Sequence, residues 1–496
     1  MAEEHAGIRD QLLRLLLGRG SVVRRAFFRF AFQSMRALAV APDARGAPVP
    51  RLALRVGVAG RVELSGRLDL EPIVDDVLKR LRDSLTAAAG PFSECFQNKV
   101  DQTPVCRLIT QLAAGADQFV AQRALKLGYR LECPLPIALD RYAQDLQRNP
   151  GADEHPASEL VRLAASARVL EMDGEEEPSG LRLTTRSYGN AALTLLDHAD
   201  ILLALVQSDA PSVVGGTRWL TEEADRRGMP VVEITLENLA RSHLRLGRTA
   251  LRSETPLQDR EWAQELVNSL VLPPPGAVHF PPSGGFERRF RRLVKANEFE
   301  WPPNWVHTEK VTTKNTRVKA WIHDIRSAYF TFWHWTEHRA NTYRDLYQGA
   351  YLSVSLLGLI ALVGALAGAL HPPFSVAGKW VELGALAALL LIWRAAHHRK
   401  WRQRWLSYRS LEQQISHAAV LDLVGRTIPS ISSPTLSEFQ KQGVWADWYL
   451  RSVLRQASLP QGGLDQKSME EAGRRPESSG DPVYFHERQG APIAKS

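Results

Sequence analysis

The chain has 496 residues, with 62 Lys and Arg against 54 Asp and Glu, a net charge of +8 and a pI near 9.4. That length exceeds one ordinary domain. Its 3 cysteines, Cys95, Cys106 and Cys133, form no CxxC or other metal spacing, which excludes a disulfide framework and points to a reduced cytosolic compartment. The basic surplus admits nucleic acid or an anionic membrane as a partner. Basic residues are spread along the chain and some cluster beside apolar segments, so the membrane is favoured and no specific nucleic acid is expected. His397 and His398 stand among Arg and Lys, a poor setting for a metal ion, so no metal is expected.

Residues 1–48 alternate Leu and Phe with Arg and read as a basic amphipathic segment without a signal-peptide core. A Pro-containing linker leads to a first strand, Leu52 to Val58. Gly60 and Arg61 follow it, in the place of a phosphate corner after the first strand of a doubly wound fold. A helix over Leu70 to Leu85 comes next, with Asp69 as its cap. Arg107 to Leu112 is a second strand, running into Gly115, Ala116 and Asp117 and a helix from Gln118 to Leu127. Small residues at that turn allow close backbone approach, and Asp117 either caps the helix or hydrogen-bonds a ribose hydroxyl. Tyr129 to Leu135 is a third strand, and Asp140 to Leu170 reads as mostly helical. Residues 171–180 are acidic and breaker-rich, a surface loop. Arg186 has the chemistry to clamp a phosphate and Tyr188 to stack on a base.

The stretch from Arg186 to Ile234 organises the first half. ILLALV at 201–206 is a short apolar run suited to a strand buried on both faces. A loop follows, then a helix over Arg218 to Arg227, then a strand over Met229 to Ile234. This strand–loop–helix–strand order implies a parallel sheet. Gly215, Gly216 and Thr217 open the helix, where adjacent glycines and free N–H groups suit a phosphate. Residues 241–315 are Pro-rich and read as a connector.

From Lys319 a long aromatic-rich helix is expected, in the manner of a membrane-interface region. It runs into 349–370, a charge-free span of bilayer length. His371-Pro372-Pro373 breaks it, and 377–396 forms a second span if Lys379 and Arg394 snorkel. Basic residues flank both spans on one side, so the hairpin turn faces out and both termini are cytoplasmic. The tail, 461–496, is polar, with Val483 to His486 as its one candidate for order.

Several motifs in order resemble the SLOG superfamily of DprA-like and LOG-like Rossmannoid nucleotide-binding domains: RVGVAGR at 55–61, QLAAGADQFVAQRALKLGYRLECPLP at 111–136, YAQDL at 142–146, RSYG at 186–189, DILLAL at 200–205 and GGTRWLTEEADRRGMPVVEI at 215–234. The match covers residues 50–236. TYRDLYQ and YRSLEQQ, around the two spans, resemble SLATT-type two-helix membrane domains. The resemblance implies a Rossmann-like doubly wound parallel sheet over 50–240, followed at 316–460 by an all-α membrane hairpin domain. It implies a ligand site lined by Gly57, Gly60, Gly115, Asp117, Arg186, Gly215, Gly216 and Thr217, to which the reading of the residues themselves adds Arg61, Ala116 and Tyr188. No tightly bound cofactor is implied, and the ligand would be nucleotide- or NAD-derived.

By the same resemblance the chain would be a homo-oligomeric bacterial antiphage effector at the inner membrane, sensing a nucleotide second messenger supplied by a partner enzyme and permeabilising the membrane. Of the LOG enzymes' Pro-Gly-Gly-x-Gly-Thr-x-x-Glu motif only Gly215-Gly216-Thr217 is present, with Glu222 and Glu223 downstream. Two alternatives stand beside the effector. One is a membrane-anchored nucleotide N-glycosidic hydrolase using Glu222 or Glu223 as acid/base. The other is a membrane adaptor without a pore.

Overall fold

Six strands alternate with helices through the first half of the chain. They are β1 (Ala53–Ala59), β2 (Val105–Ile109), β3 (Arg130–Leu135), β4 (Ala167–Glu171), β5 (Ile201–Val206) and β6 (Val231–Thr235). The helices between them are α1 (Leu70–Ala89), α2 (Ala116–Lys126), α3 (Leu139–Gln147), α4 (Pro156–Ala164), α5 (Thr185–His198) and α6 (Thr217–Arg226). This is a computed structural model, and it describes residues 48–60, 69–89, 103–148, 156–177, 183–207, 211–246, 254–273, 289–290, 316–370, 375–422, 425–427 and 444–463. The amphipathic segment expected at 1–48, apart from Pro48, lies outside the described residues, as do Arg61, Cys95 and Val483 to His486.

β1 and β2 are buried at every position, and β5 at all but its last, because Val, Leu, Ile and Ala face helices on both sides. Three further short strands join them: β7 (His243–Arg245), β8 (Glu254–Pro256) and, far along the chain, β9 (Gly462–Gly463). The sheet order is β8-β7-β6-β5-β1-β2-β3-β4-β9. It is parallel from β6 to β9, and β7 and β8 add an antiparallel edge. The chain builds outward from β1 to β4, then returns to place β5 on the other side of β1.

Three features lie beyond the local patterns. The described residues of 140–170 are mostly helical, as expected, in two short helices, but the region ends in strand β4. β4 is half-buried and short, so its apolar signal is weak. The connector at 241–315 contains β7, β8 and a helix, α7 (Trp262–Val271), packed on α1. Its Trp262 is buried, and Gln264 donates to the Ser84 carbonyl at 3.3 Å. The third concerns the C-terminus. After α8 (Thr316–Leu370), α9 (Ser375–His398) and α10 (Trp401–Asp422), the chain forms α11 (Val444–Gln456) and β9. By compactness the sheet unit takes in the described residues of 49–278, 309–334 and 410–496, while those of 279–308 and 335–409 form another unit. In this grouping α11 and β9 belong with the sheet, β9 pairing with β4.

Charge inside the strands explains that return. Arg55 on β1, Arg107 on β2 and Arg168 on β4 all reach the C-terminal end of α11. Arg55 donates to the Leu454 carbonyl at 3.2 Å, and Arg107 to those of Arg455, Gln456 (2.7 Å) and Ala457 (3.2 Å). Arg168 donates to the Leu459 carbonyl at 3.0 Å. A helix C-terminus leaves carbonyls unpaired and carries partial negative charge, so it is matched to cations. The cations are balanced in turn: Arg55 and Arg455 pair with Asp200, and Arg107 with Glu132. Trp448, Tyr449, Leu450, Val453 and Leu454 supply the apolar cover.

The other unit contains two helices long and apolar enough to cross a membrane. They meet at backbone contact: a Cβ on Gly378 would lie 2.5 Å from the Gly364 carbonyl oxygen. Their outward residues, among them Leu352, Leu356, Leu359, Leu390, Trp380 and Trp393, are exposed. The aromatic run before the first span behaves differently from an interface belt. Trp335, Tyr343 and Tyr408 are buried and in ring contact, and Tyr347 stacks on Trp405, so these rings join α8 to α10.

His198, at the end of α5, is buried, with Nε2 3.2 Å from the Gly425 carbonyl. Burial first, then the neighbouring Arg55 and Arg426 charges, push its pKa down from 6.5 to about 3. The folded state therefore holds the neutral ring, and protonation favours the unfolded chain as pH falls below 6.5 toward 3. His198→Gln should remove up to about 1.4 kcal/mol per pH unit of that acid-side loss. Thermal melts from pH 7 to pH 4 should show the variant's midpoint falling less steeply than wild type; parallel curves would contradict the assignment.

Candidate functional site

At the carboxyl ends of β1 and β5, where the strand order reverses, the structure holds a cavity of about 450 Å³. In open α/β sheets that crevice is where ligands bind, and the volume is within the usual range for small-molecule sites. Its walls include the end of β1 at Gly60, the turn after β2, the end of α3, and the N-terminal turns of α5 and α6.

The α6 wall is built from glycine. Gly215 has φ +82°, a conformation open to glycine, and a Cβ there would lie 3.0 Å from Gly189 N and Tyr188 Cβ. The small residue thus lets the N-termini of α5 and α6 meet. Gly216 is the N-cap of α6, and no side chain caps that helix. The first turn of α6 faces the cavity, where the positive end of the helix dipole suits an anion. Gly60 brings β1 close to α2 in a similar way, since a Cβ there would lie 2.7 Å from Ala116 Cβ.

Asp117 lies on the cavity floor, almost fully buried. It does not cap α2: Gly115 is the N-cap and no side chain bonds there. The capping expectation is corrected, because the carboxylate turns inward to tie the β1 and β2 turns together. Thr110 donates to Oδ2 at 3.1 Å, and backbone N–H groups of Ala113, Gly60 and Gln111 also serve it. Burial outweighs these bonds and pushes the carboxyl up to about 7.

Tyr188 lines the opposite wall. Its hydroxyl donates to Asp145 Oδ2 at 2.5 Å, and its ring meets Tyr142 edge-on at 6.2 Å. Asp145 also accepts from the Leu183 N–H at 3.1 Å, so this carboxylate fixes the entrance to α5. The rim is charged in both senses, with Arg148 and Arg218 against Asp145 and Glu177, and Val213 and Val214 give it an apolar lip. Such a mixture suits an anionic ligand that also presents hydroxyls and a flat apolar face.

Of the sequence-derived candidates, Gly60, Asp117, Tyr188, Gly215, Gly216 and Thr217 line this cavity. Gly57, Gly115, Ala116 and Arg186 do not. Gly57 sits mid-strand under α5, where a Cβ would lie 2.8 Å from Leu195 Cδ2. Gly115 and Ala116 start α2 behind the floor, and Arg186 is exposed on α5. Arg61 lies outside the described residues. Glu222 and Glu223 are also off the cavity: Glu222 takes a hydrogen bond from Ser212 at 2.9 Å, and Glu223 pairs with Arg226 and Arg227. Residue reasoning passed over Asp145, Arg148, Thr185 and Arg218. Asp145 had a signal, in that it occupies the YAQDL stretch, but its partner Tyr188 is far along the chain. No family model, curated protein or solved structure matches this chain.

Proposed function

We propose that this chain is a ligand-gated membrane effector. A SLOG-type, Rossmann-like unit binds a nucleotide-derived second messenger in the cavity, and the α8–α9 hairpin permeabilises the bacterial inner membrane in a homo-oligomer. The observation that carries the reading is the cavity at the strand-order reversal, walled by the uncapped N-terminus of α6. Phosphate oxygens are acceptors that such N–H groups and Arg148 or Arg218 complement, while Tyr188, Val213 and Val214 offer the base an apolar surface. The two apolar helices support the membrane half. One hairpin cannot enclose a pore, so several copies assemble. Binding gates the hairpin only if the ligand prefers the active state. The hydrolase alternative loses ground, because neither Glu222 nor Glu223 reaches the cavity.

The test is dye release from liposomes carrying the full-length protein, challenged with cyclic oligonucleotides and ADP-ribose derivatives. Release on addition of one nucleotide is the expected result. A nucleotide that binds by calorimetry yet releases no dye would sink the pore and leave the adaptor.

A further inference from the structure

α5 and α6 share a second feature, at their far ends. Both begin in the cavity, with Thr185 and Tyr188 on one and Thr217 and Arg218 on the other. Both end at Asp197. The Asp197 carboxylate is buried, 1 % exposed, and is held by two guanidiniums. Arg227, just past α6, reaches Oδ1 at 2.6 Å, and Arg426 reaches Oδ2 at 2.6 Å. Arg426 belongs to the segment that leaves α10, the helix that follows the apolar hairpin. The next residue of α5, His198, holds the Gly425 carbonyl of the same segment at 3.2 Å. Asp422, the last residue of α10, is buried and hydrogen-bonded by Tyr329 of α8. Farther toward the start of α8, Asp324 pairs with Arg168 at 2.7 Å. Both helices that lead to and from the hairpin are therefore fastened to the sheet unit.

We propose that Asp197, Arg227, Arg426 and His198 form a latch that couples the nucleotide cavity to the segment emerging from the membrane helices. This inference rests on the ligand-gated reading and adds its route of transmission. Helices are stiff along their axes, so a ligand that shifts the N-terminal turns of α5 and α6 relative to one another moves their C-terminal ends as well. Asp197 is where that relative movement registers, because it bridges the two helices and the α10 exit at once. Its carboxylate is desolvated, so it does not trade a guanidinium for water without cost. The latch as proposed has two states, Arg426 paired as here or released, and its half-exposed side chain has solvent to move into. Coupling of this kind needs an element whose state both sites bias, and the latch is such an element.

The test uses full-length protein in nanodiscs and in liposomes, without added nucleotide. Amide hydrogen exchange is compared for wild type, Arg426→Gln, Asp197→Asn and the conservative Arg426→Lys. Arg426 is partly exposed, so its glutamine variant keeps the sheet, which a thermal melt checks. The expected result is at least about threefold faster exchange in both glutamine and asparagine variants, not only at 195–200 and 425–427 but also at the cavity ends, 188–191 and 220–223. Arg426→Lys should stay near wild type. Changes confined to the neighbourhood of Asp197 would overturn the latch, since a merely structural pair loosens only its surroundings. Dye leakage separates the two claims. Propagated exchange with raised basal leakage supports both latch and pore, whereas propagated exchange without leakage keeps the latch and tells against the pore. Local exchange alone rejects the latch and leaves the nucleotide-triggered assay to judge the cavity.

Discussion

Asp200→Ala should destabilise the protein by about 3–5 kcal/mol, the usual cost of removing one partner from a buried charge cluster. Asp200 accepts the Arg55 backbone N–H at 3.0 Å and Arg455 Nε at 3.0 Å, and it pairs with Arg55 Nε at 3.5 Å. Alanine leaves two guanidiniums buried beneath α11 without their common anion. Burial pushes the Asp200 carboxyl up, but the Arg455 and Arg55 charges outweigh it and hold the carboxyl below its usual 3.8. A depressed carboxylate contributes stability that is fully present above 3.8 and is lost as pH falls through the lower folded value. The penalty of the variant should accordingly be full at neutral pH and shrink below about pH 4. Denaturation followed by tryptophan fluorescence measures it, with the buried Trp448 on the same helix as Arg455 among the reporters. Adding Arg455→Met to the variant should recover part of the loss, because one orphaned charge then disappears. A loss under about 1 kcal/mol would mean that water reaches these charges, contrary to their burial.

Gly216→Asp should abolish nucleotide binding, by at least about tenfold in Kd, a change of 1.4 kcal/mol, while leaving the fold intact. Gly216 has φ −83° and ψ 166°, extended backbone that aspartate adopts readily, and it is the N-cap of α6. Asp is among the best N-cap residues. Its carboxylate would cap the first turn and place a negative charge where phosphate is proposed to bind. The new Cβ would sit 3.0 Å from the Val213 carbonyl oxygen, so the lip must yield by a few tenths of an ångström. Calorimetry with a nucleotide that triggers dye release, beside a thermal melt, separates the two effects. Undiminished binding by a stable variant would move the phosphate away from α6.

Much of the sheet was legible because buried strands and amphipathic helices write local patterns. β1, β3, β5 and β6 fall where runs such as ILLALV place them, and α6 spans Thr217–Arg226 where Gly216 and Gly228 bracket it. β4 carries little apolar signal because it is short, ARVLE, and fully buried only at Leu170. Six of the candidate site residues gather at one cavity because they follow strand ends, and strand ends share an edge in a parallel sheet. Gly57 did not, since glycine in a strand is as often made by close helix packing as by a ligand. The rim residues Asp145 and Arg148 escaped notice because their roles depend on Tyr188 and the α6 turn, neither of which is near them in sequence.

The sequence by itself determined an α/β sheet with mostly parallel strands, a glycine-opened helix at its edge, and two helices long and apolar enough to cross a membrane. Each follows from periodicity, chain stiffness and run length, all of which are local. Only the tertiary structure decided that α11 and β9 complete the sheet after the hairpin, and that α5 and α6 join the cavity to the α10 exit. The one sequence hint was charge in buried strands: Arg55, Arg107 and Glu132 stand where only partners allow them. A buried arginine announces that a partner exists. Which partner answers it, here a helix end about four hundred residues away, is settled by long-range electrostatics and packing that no local pattern encodes.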